Sequence, residues 1–175
     1  MNIERVRSRE TGEVLIVRGT KKVLDRIGGV TASDSDGSTT RLGDWYVNVL
    51  FWKLQVALFV NDATLLPVLM PFAPASTLLD RFPSTLQAHL QAHSMPRTFS
   101  EREVAEMEQI RAAKTASRSV LGVMNEFKYL AEVYAQLDGE TDLMALSLRL
   151  AETPCGPLYK RHISPDRELV ALAST

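Results

Sequence analysis

Apolar residues along this chain alternate with polar ones in its first half and recur at every third or fourth position in its second. Val14–Arg18 (VLIVR) is short and β-branched and predicts a first strand. Thr20 then stands where it can cap a brief helix, KKVLDRIGG, with Val23, Leu24 and Ile27 on one side and glycines at its end. Residues 28–43, GGVTASDSDGSTTRLG, offer almost nothing that packs and predict a mobile loop. The runs DWYVNVLFWK, QVALFVND and ATLLPVLMPF follow, rich in aromatic and β-branched residues and broken at 53–55 and at 61–62. Their spacing predicts two hairpins of an antiparallel meander. In the first run Trp45, Val47, Val49 and Phe51 share one face, and Tyr46, Asn48, Leu50 and Trp52 the other. Pro67 and Pro71 place the third run at a sheet edge or end it early.

From Pro74 onward the period becomes helical. Pro83-Ser84 opens STLQAHLQAH, and Ser100 with Glu103 has the capping-box spacing for a helix EREVAEMEQIRAAK. Ser117 is the candidate N-cap of RSVLGVMNEFKYLAEVYAQL, where Val120, Met124, Phe127, Ala131 and Tyr134 form an apolar stripe that stops at Gly139. DLMALSLRLAE reads as one more helix, ahead of a break at Pro154, Gly156 and Pro157. Strands first and helices afterwards predict an α+β fold: an antiparallel β-meander with a short N-terminal strand–helix unit, covered by several C-terminal α-helices. At 175 residues one domain is expected, over 14–160, with a polar N-terminal flank at 1–13 and a tail at 161–175.

Composition narrows the classes without choosing one. The chain is 45% hydrophobic and 23% charged, ordinary for a globular protein, and its formal net charge is −1. That balance gives no global reason to expect nucleic acid or an anionic membrane as partner. The charge is uneven, since up to Arg26 seven cations face four acids. Trp45 to Phe72 is interrupted by Asn48, Lys53, Gln55, Asn61, Asp62 and Pro67, so no membrane span and no membrane partner are expected. One cysteine, Cys155, excludes an intrachain disulfide, and with no apolar leader at the start a cytoplasmic location is expected.

Candidate chemistry is sparse. His89 and His93 stand one helical turn apart, a spacing that suits a metal, but no acid lies between them and an exposed polar face is the better reading. SDSDGS has Asp34 and Asp36 at calcium-loop spacing, yet Ala32 and Gly43 occupy the first and last ligand positions, so the match fails. Cys155 in TPCGPL lacks an activating neighbour and reads as a packing residue. Glycine-rich phosphate loops and the nucleophile turn of hydrolases are missing, and no cofactor or metal is expected. Two polar groups remain: Thr20, Lys21 and Lys22 at the exit of the first strand, and Lys114 to Ser119, with Arg118, at the start of a helix. If they converge with Asn48, Asn61 and Asn125, they form an anion or phosphate site; otherwise they are caps and surface charge.

The segments RGTKKVLDRI, STTRLGDWYVNVLF, VALFVNDATLLPVLMP and KTASRSVLGVMNEF resemble a bacterial family catalogued as domain of unknown function 6933. The likeness runs from about Val17 to Leu150 and takes in Thr20, Lys21, Lys22, Arg41, Gly43, Asp44, Trp45, Asn48, Asn61, Lys114, Arg118, Ser119 and Asn125. The chain departs at Gly19, where many members have Cys, and at Ala116-Ser117, where an Asn is common. The resemblance implies a small bacterial protein, at times beside mobile-element passenger domains, and carries no established activity. Three expectations follow. The first is a protein-interaction module with an unidentified protein partner, for example in a toxin–antitoxin, defence or mobile-element setting. The second is binding or processing of a phosphate-bearing small molecule or nucleotide. The third, less favoured, is nucleic-acid contact through the basic N-terminal segment. Whether the chain is an enzyme stays open.

Overall fold

A computed structural model describes residues 12–175. Its five strands are β1 (Val14–Gly19), β2 (Trp45–Leu50), β3 (Val56–Asn61), β4 (Pro67–Pro71) and β5 (Gln109–Lys114). Six helices accompany them: α1 (Lys21–Ile27), α2 (Leu78–Ala92), α3 (Arg97–Ala105), α4 (Arg118–Asp138), α5 (Leu143–Ala151) and α6 (Pro165–Ala173). The strands form one mixed sheet in the order β4-β3-β2-β1-β5. β2, β3 and β4 are the antiparallel meander that the alternation predicts, and β1 joins it in parallel, with Gly19 opposite Val47. The fold is therefore α+β, but its sheet is not purely antiparallel.

β5 corrects the reading of the sequence. The segment 100–114 is not one helix: α3 stops at Ala105, and Gln109–Lys114 pairs with β1 in parallel from Val14↔Gln109 to Gly19↔Lys114. Ala and Lys favour helix intrinsically, but the ladder offered by β1 overrides that preference. Ser100 and Glu103 do not cap a helix either, because both lie inside α3 and are buried. Glu103 instead accepts backbone N–H bonds from Arg41 and Leu42, each at 3.1 Å, and anchors the loop that precedes β2. That loop is tied down rather than mobile. Ser38 and Thr39 bond to β1, Thr31 and Ala32 bond to Ala112 of β5, and Ala32, Thr40 and Leu42 are buried. Likewise α2 starts at Leu78 and carries Pro83 within it, so Pro83 does not open it.

Helices cover both faces of the sheet, which is why β3 is buried at every position. Leu15, Val17, Trp45, Val47 and Phe59 point to one face and pack with Val23 of α1 and with Leu78, Phe82 and Leu86 of α2. Phe82 stacks on Phe59 at 4.2 Å and meets the edge of Trp45 at 5.1 Å. Tyr46, Leu50, Leu58 and Val60 point to the other face, against Val120, Val123, Met124 and Phe127 of α4 and Leu146 and Leu150 of α5. In the stripe read from Val120 to Tyr134, Val120 to Ala131 form the buried face of α4 and Tyr134 is partly buried. Ser117 caps this helix, accepting the Val120 N–H at 3.2 Å, and Gly139 ends it in the left-handed conformation that glycine adopts without strain. Leu169 of α6 is fully buried in the first core. No helix among the described residues is long and apolar enough to cross a membrane.

His89 lies on the buried side of α2, at 3% exposure, and not on an exposed polar face. Its Nδ1 donates to the Thr85 carbonyl at 2.8 Å, while its Nε2 and that of His93 are buried without a hydrogen-bond partner. Burial pushes both imidazoles below the ordinary histidine value, so each is neutral in the folded chain. Unfolded histidine takes a proton near pH 6.5 and the folded pair does not, so stability is complete above that pH and is lost as pH falls. A denaturant midpoint measured at pH 7.5 and again at about pH 5.5 is expected to drop. The drop shrinks in a His89→Gln/His93→Gln variant; an equal drop there would rule the histidines out as its source.

Candidate functional site

β1 and β5 lie side by side and run the same way, so their C-terminal ends open on one edge of the sheet. The chain leaves β1 through Thr20 into α1, which packs on the first face, and leaves β5 through Thr115 into α4, which packs on the second. Adjacent parallel strands whose following helices depart to opposite faces leave a crevice between them, the place where open α/β sheets take ligands. Gly19 and Lys114 are register partners, which puts the two polar groups at neighbouring exits.

Each group is held by specific bonds. Thr20 is the N-cap residue of α1 by position, but its hydroxyl does not cap the helix. It donates instead to Oδ1 of Asn48 at 3.1 Å, and that oxygen also accepts the Val49 N–H at 2.8 Å. The Thr20 N–H reaches the Val47 carbonyl at 3.2 Å. Thr20, Asn48 and the end of β2 therefore form one rigid corner. On the other exit, the phenol of Tyr46 accepts the Ser117 N–H at 3.1 Å and fixes where α4 begins. Burial, then the nearby Asp62 charge, push the Tyr46 pKa up, so this group stays a neutral phenol.

Beneath the two strand exits Arg18 lies almost buried, its Nε bonded to Asp44 at 2.9 Å and an Nη donating to the Lys114 carbonyl at 3.1 Å. Asp44 in turn accepts from the backbone and hydroxyl of Ser38. A lone arginine closing an apolar strand needs such partners, since a buried unpaired guanidinium is prohibitive. That need is the signal by which Arg18 could have been singled out from the sequence; Asp44 carries no comparable signal.

Lys21, Lys22, Lys114, Arg118 and Ser119 are all exposed around this edge. The three segments that build it, 19–23, 48–56 and 114–120, contain five cations (Lys21, Lys22, Lys53, Lys114 and Arg118) and no Asp, Glu, His or Cys. Arg118 and Ser119 open the first turn of a 21-residue helix, where backbone N–H groups face outward and the helix dipole favours an anion. The edge can hold negative charge.

Two of the candidate residues lie elsewhere. Asn61 ends β3 opposite Trp45, away from this edge, and is wholly buried. Its amide donates to the carbonyls of Leu42 and Asp44 and its oxygen accepts from Ala63, Thr64 and the Thr64 hydroxyl, so it builds a turn. Asn125 is exposed on α4, seven residues past Arg118, which is about 10 Å along the helix. The remaining chemistry is placed apart as well. Cys155 is fully buried and its thiol is pushed up to about 12, chiefly by burial. No group of three or more His, Cys, Asp or Glu among the described residues could hold a metal ion. A cleft of about 510 Å³ lies at the other end of the molecule, lined by Arg41, Phe99, Arg102 and Glu103 among others. The basic residues Arg5, Arg7 and Arg9, and most of the N-terminal flank, fall outside the described residues.

No curated protein and no solved structure matches the chain. A family model does, over residues 16–168, and those residues include both strand exits, the Arg18–Asp44 pair and the helices that flank them. The chain belongs to the family described as Domain of unknown function (DUF6933).

Proposed function

We propose that this chain binds a phosphate-bearing anion at the edge formed by the exits of β1 and β5. The observation that carries the reading is the register of Gly19 with Lys114, which sets Thr20–Lys22 beside Lys114–Ser119 at a switch point of the sheet. Lys21, Lys22, Lys114 and Arg118 supply charge, and the first turn of α4 supplies backbone donors. Thr20 and Asn48 hold the corner in shape. Binding rather than catalysis is the role supported, because the three segments lack any carboxylate, imidazole or thiol to act as base or nucleophile.

The protein-interaction reading began from missing catalytic motifs, and among the described residues no single broad apolar face adds to it. Apart from Phe51 and Leu54 on the hairpin between β2 and β3, exposed large apolar residues such as Val30, Tyr129, Leu137 and Tyr159 sit on separate elements or separate turns. A nucleic-acid reading shares Lys21 and Lys22 with the proposed site, and its distinctive mark is a steep salt dependence with oligonucleotides.

Inorganic pyrophosphate is the simplest probe. Calorimetric titration is expected to give saturable binding that weakens about tenfold in Lys21→Ala and in Arg118→Ala, the loss of one charge-assisted contact each. Asn125→Ala, on the outer face of α4, is expected to leave it unchanged. Absence of binding, or equal affinity across these variants, would dismiss the site.

Stability separates the Thr20 corner from the distant turn that Asn61 builds. Asn61→Ala leaves the Thr64 N–H and the Leu42 carbonyl buried without their partner and is expected to cost about 3 kcal/mol in chemical unfolding. Thr20→Ala removes one half-buried neutral bond and is expected to cost about 1 kcal/mol. Equal costs would mean that Asn61 is not the structural residue of the two.

A further inference from the structure

The hairpin joining β2 to β3 turns through Phe51, Trp52, Lys53 and Leu54, residues a turn does not ask for. Phe51 is 57% exposed and Leu54 84% exposed, while Trp52 rests partly buried against the α4 side of the sheet. The tip continues the cationic edge, since Nζ of Lys22 lies 5.2 Å from the centre of the Phe51 ring and Lys53 sits within the tip itself.

We propose that this edge docks on an anionic lipid bilayer, with Phe51, Trp52 and Leu54 entering the headgroup–acyl boundary and the surrounding cations meeting lipid phosphates. The inference rests on the phosphate-site reading and deepens it: the phosphates belong to lipid headgroups. Three observations select this occupant. Leu54 has neither a ring to stack on a base nor a group to bond to one, so an apolar medium is what rewards its exposure. Aromatic and aliphatic side chains flanked by lysines suit the interface, where the lysine stems lie along apolar surface and the ammonium reaches phosphate. Charge is complementary, because the segments that would face the bilayer hold five cations and no carboxylate. The flanking helices add acids too: Asp25 on α1, beside Arg26, and Glu126, Glu132 and Asp138 on α4, with Lys128 between the first two. The expectation of no membrane partner came from net charge and from the search for a span, and neither reports on one edge of the molecule.

Sedimentation of the full chain with vesicles tests this, using phosphatidylcholine alone and phosphatidylcholine with one third phosphatidylserine. Binding is expected to the anionic vesicles only and to fall at high salt. Tryptophan emission shifts to the blue on binding, and because Trp45 is fully buried the shift reports Trp52. The Phe51→Ser/Leu54→Ser variant, altered outside the strands, is expected to bind about tenfold more weakly. Leu54→Ser alone keeps its affinity for pyrophosphate. No association with anionic vesicles, or undiminished association of the double variant, overturns the proposal. So does a single-stranded oligonucleotide that binds more tightly than the vesicles. If pyrophosphate binds and vesicles do not, the phosphate site stands and the bilayer falls; if neither binds, both fall.

Discussion

Everything at the proposed edge depends on the parallel pairing of β1 with β5. This ladder joins residue 19 to residue 114 across three α-helices and the whole meander. Closing so long a loop costs entropy that grows only slowly with length, and six register pairs with a buried sheet face offset it. The pairing makes β1 an interior strand, places α1 and α4 on opposite faces, and sets their origins side by side. Arg18 reinforces it from below, since one guanidinium holds Asp44 before β2 and the last carbonyl of β5 at once.

The parts of the fold legible in the sequence are those where local pattern and tertiary demand agree. The alternation at Trp45–Leu50 and the stripe from Val120 to Ala131 report burial directly, and Ser117, Gly28 and Gly139 mark helix ends by their backbone chemistry. β5 was not legible, because QIRAAK carries no β-branched alternation and is a strand only through its neighbour. The Ser100–Glu103 spacing misled for a related reason. A carboxylate can satisfy any pair of backbone N–H groups, and here it serves those of Arg41 and Leu42, far away in sequence. The loop at 28–43 looked unpacked because its contribution is made by hydroxyls and backbone rather than apolar side chains.

The same logic divides the polar candidates. Asn61 and Asp44 share the family resemblance with Lys21 and Arg118, but resemblance does not distinguish a residue that builds a turn from one that faces solvent. Hydrogen-bond satisfaction does. Both ends of the Asn61 amide are consumed by its own chain, and Asp44 is consumed by Arg18 and Ser38. Lys21, Lys114 and Arg118 are exposed, with no side-chain ion pair among the described residues. Asn48 stands between the classes, holding Thr20 in place at the exit of β1.

Net charge conceals this arrangement because it averages along the strand axis. Asp44 precedes Trp45, the register partner of Val17, so it lies about three residues, roughly 10 Å, below the level of Gly19. That is about one Debye length at physiological salt, near enough for an unpaired carboxylate to weaken the field of Lys114. Arg18 pairs with it at 2.9 Å and cancels most of that influence. The buried pair thus has two consequences: it ties three elements of the sheet together, and it neutralises the carboxylate that lies under the edge. A chain whose formal charge is −1 can therefore present a surface on which an anion meets cations first.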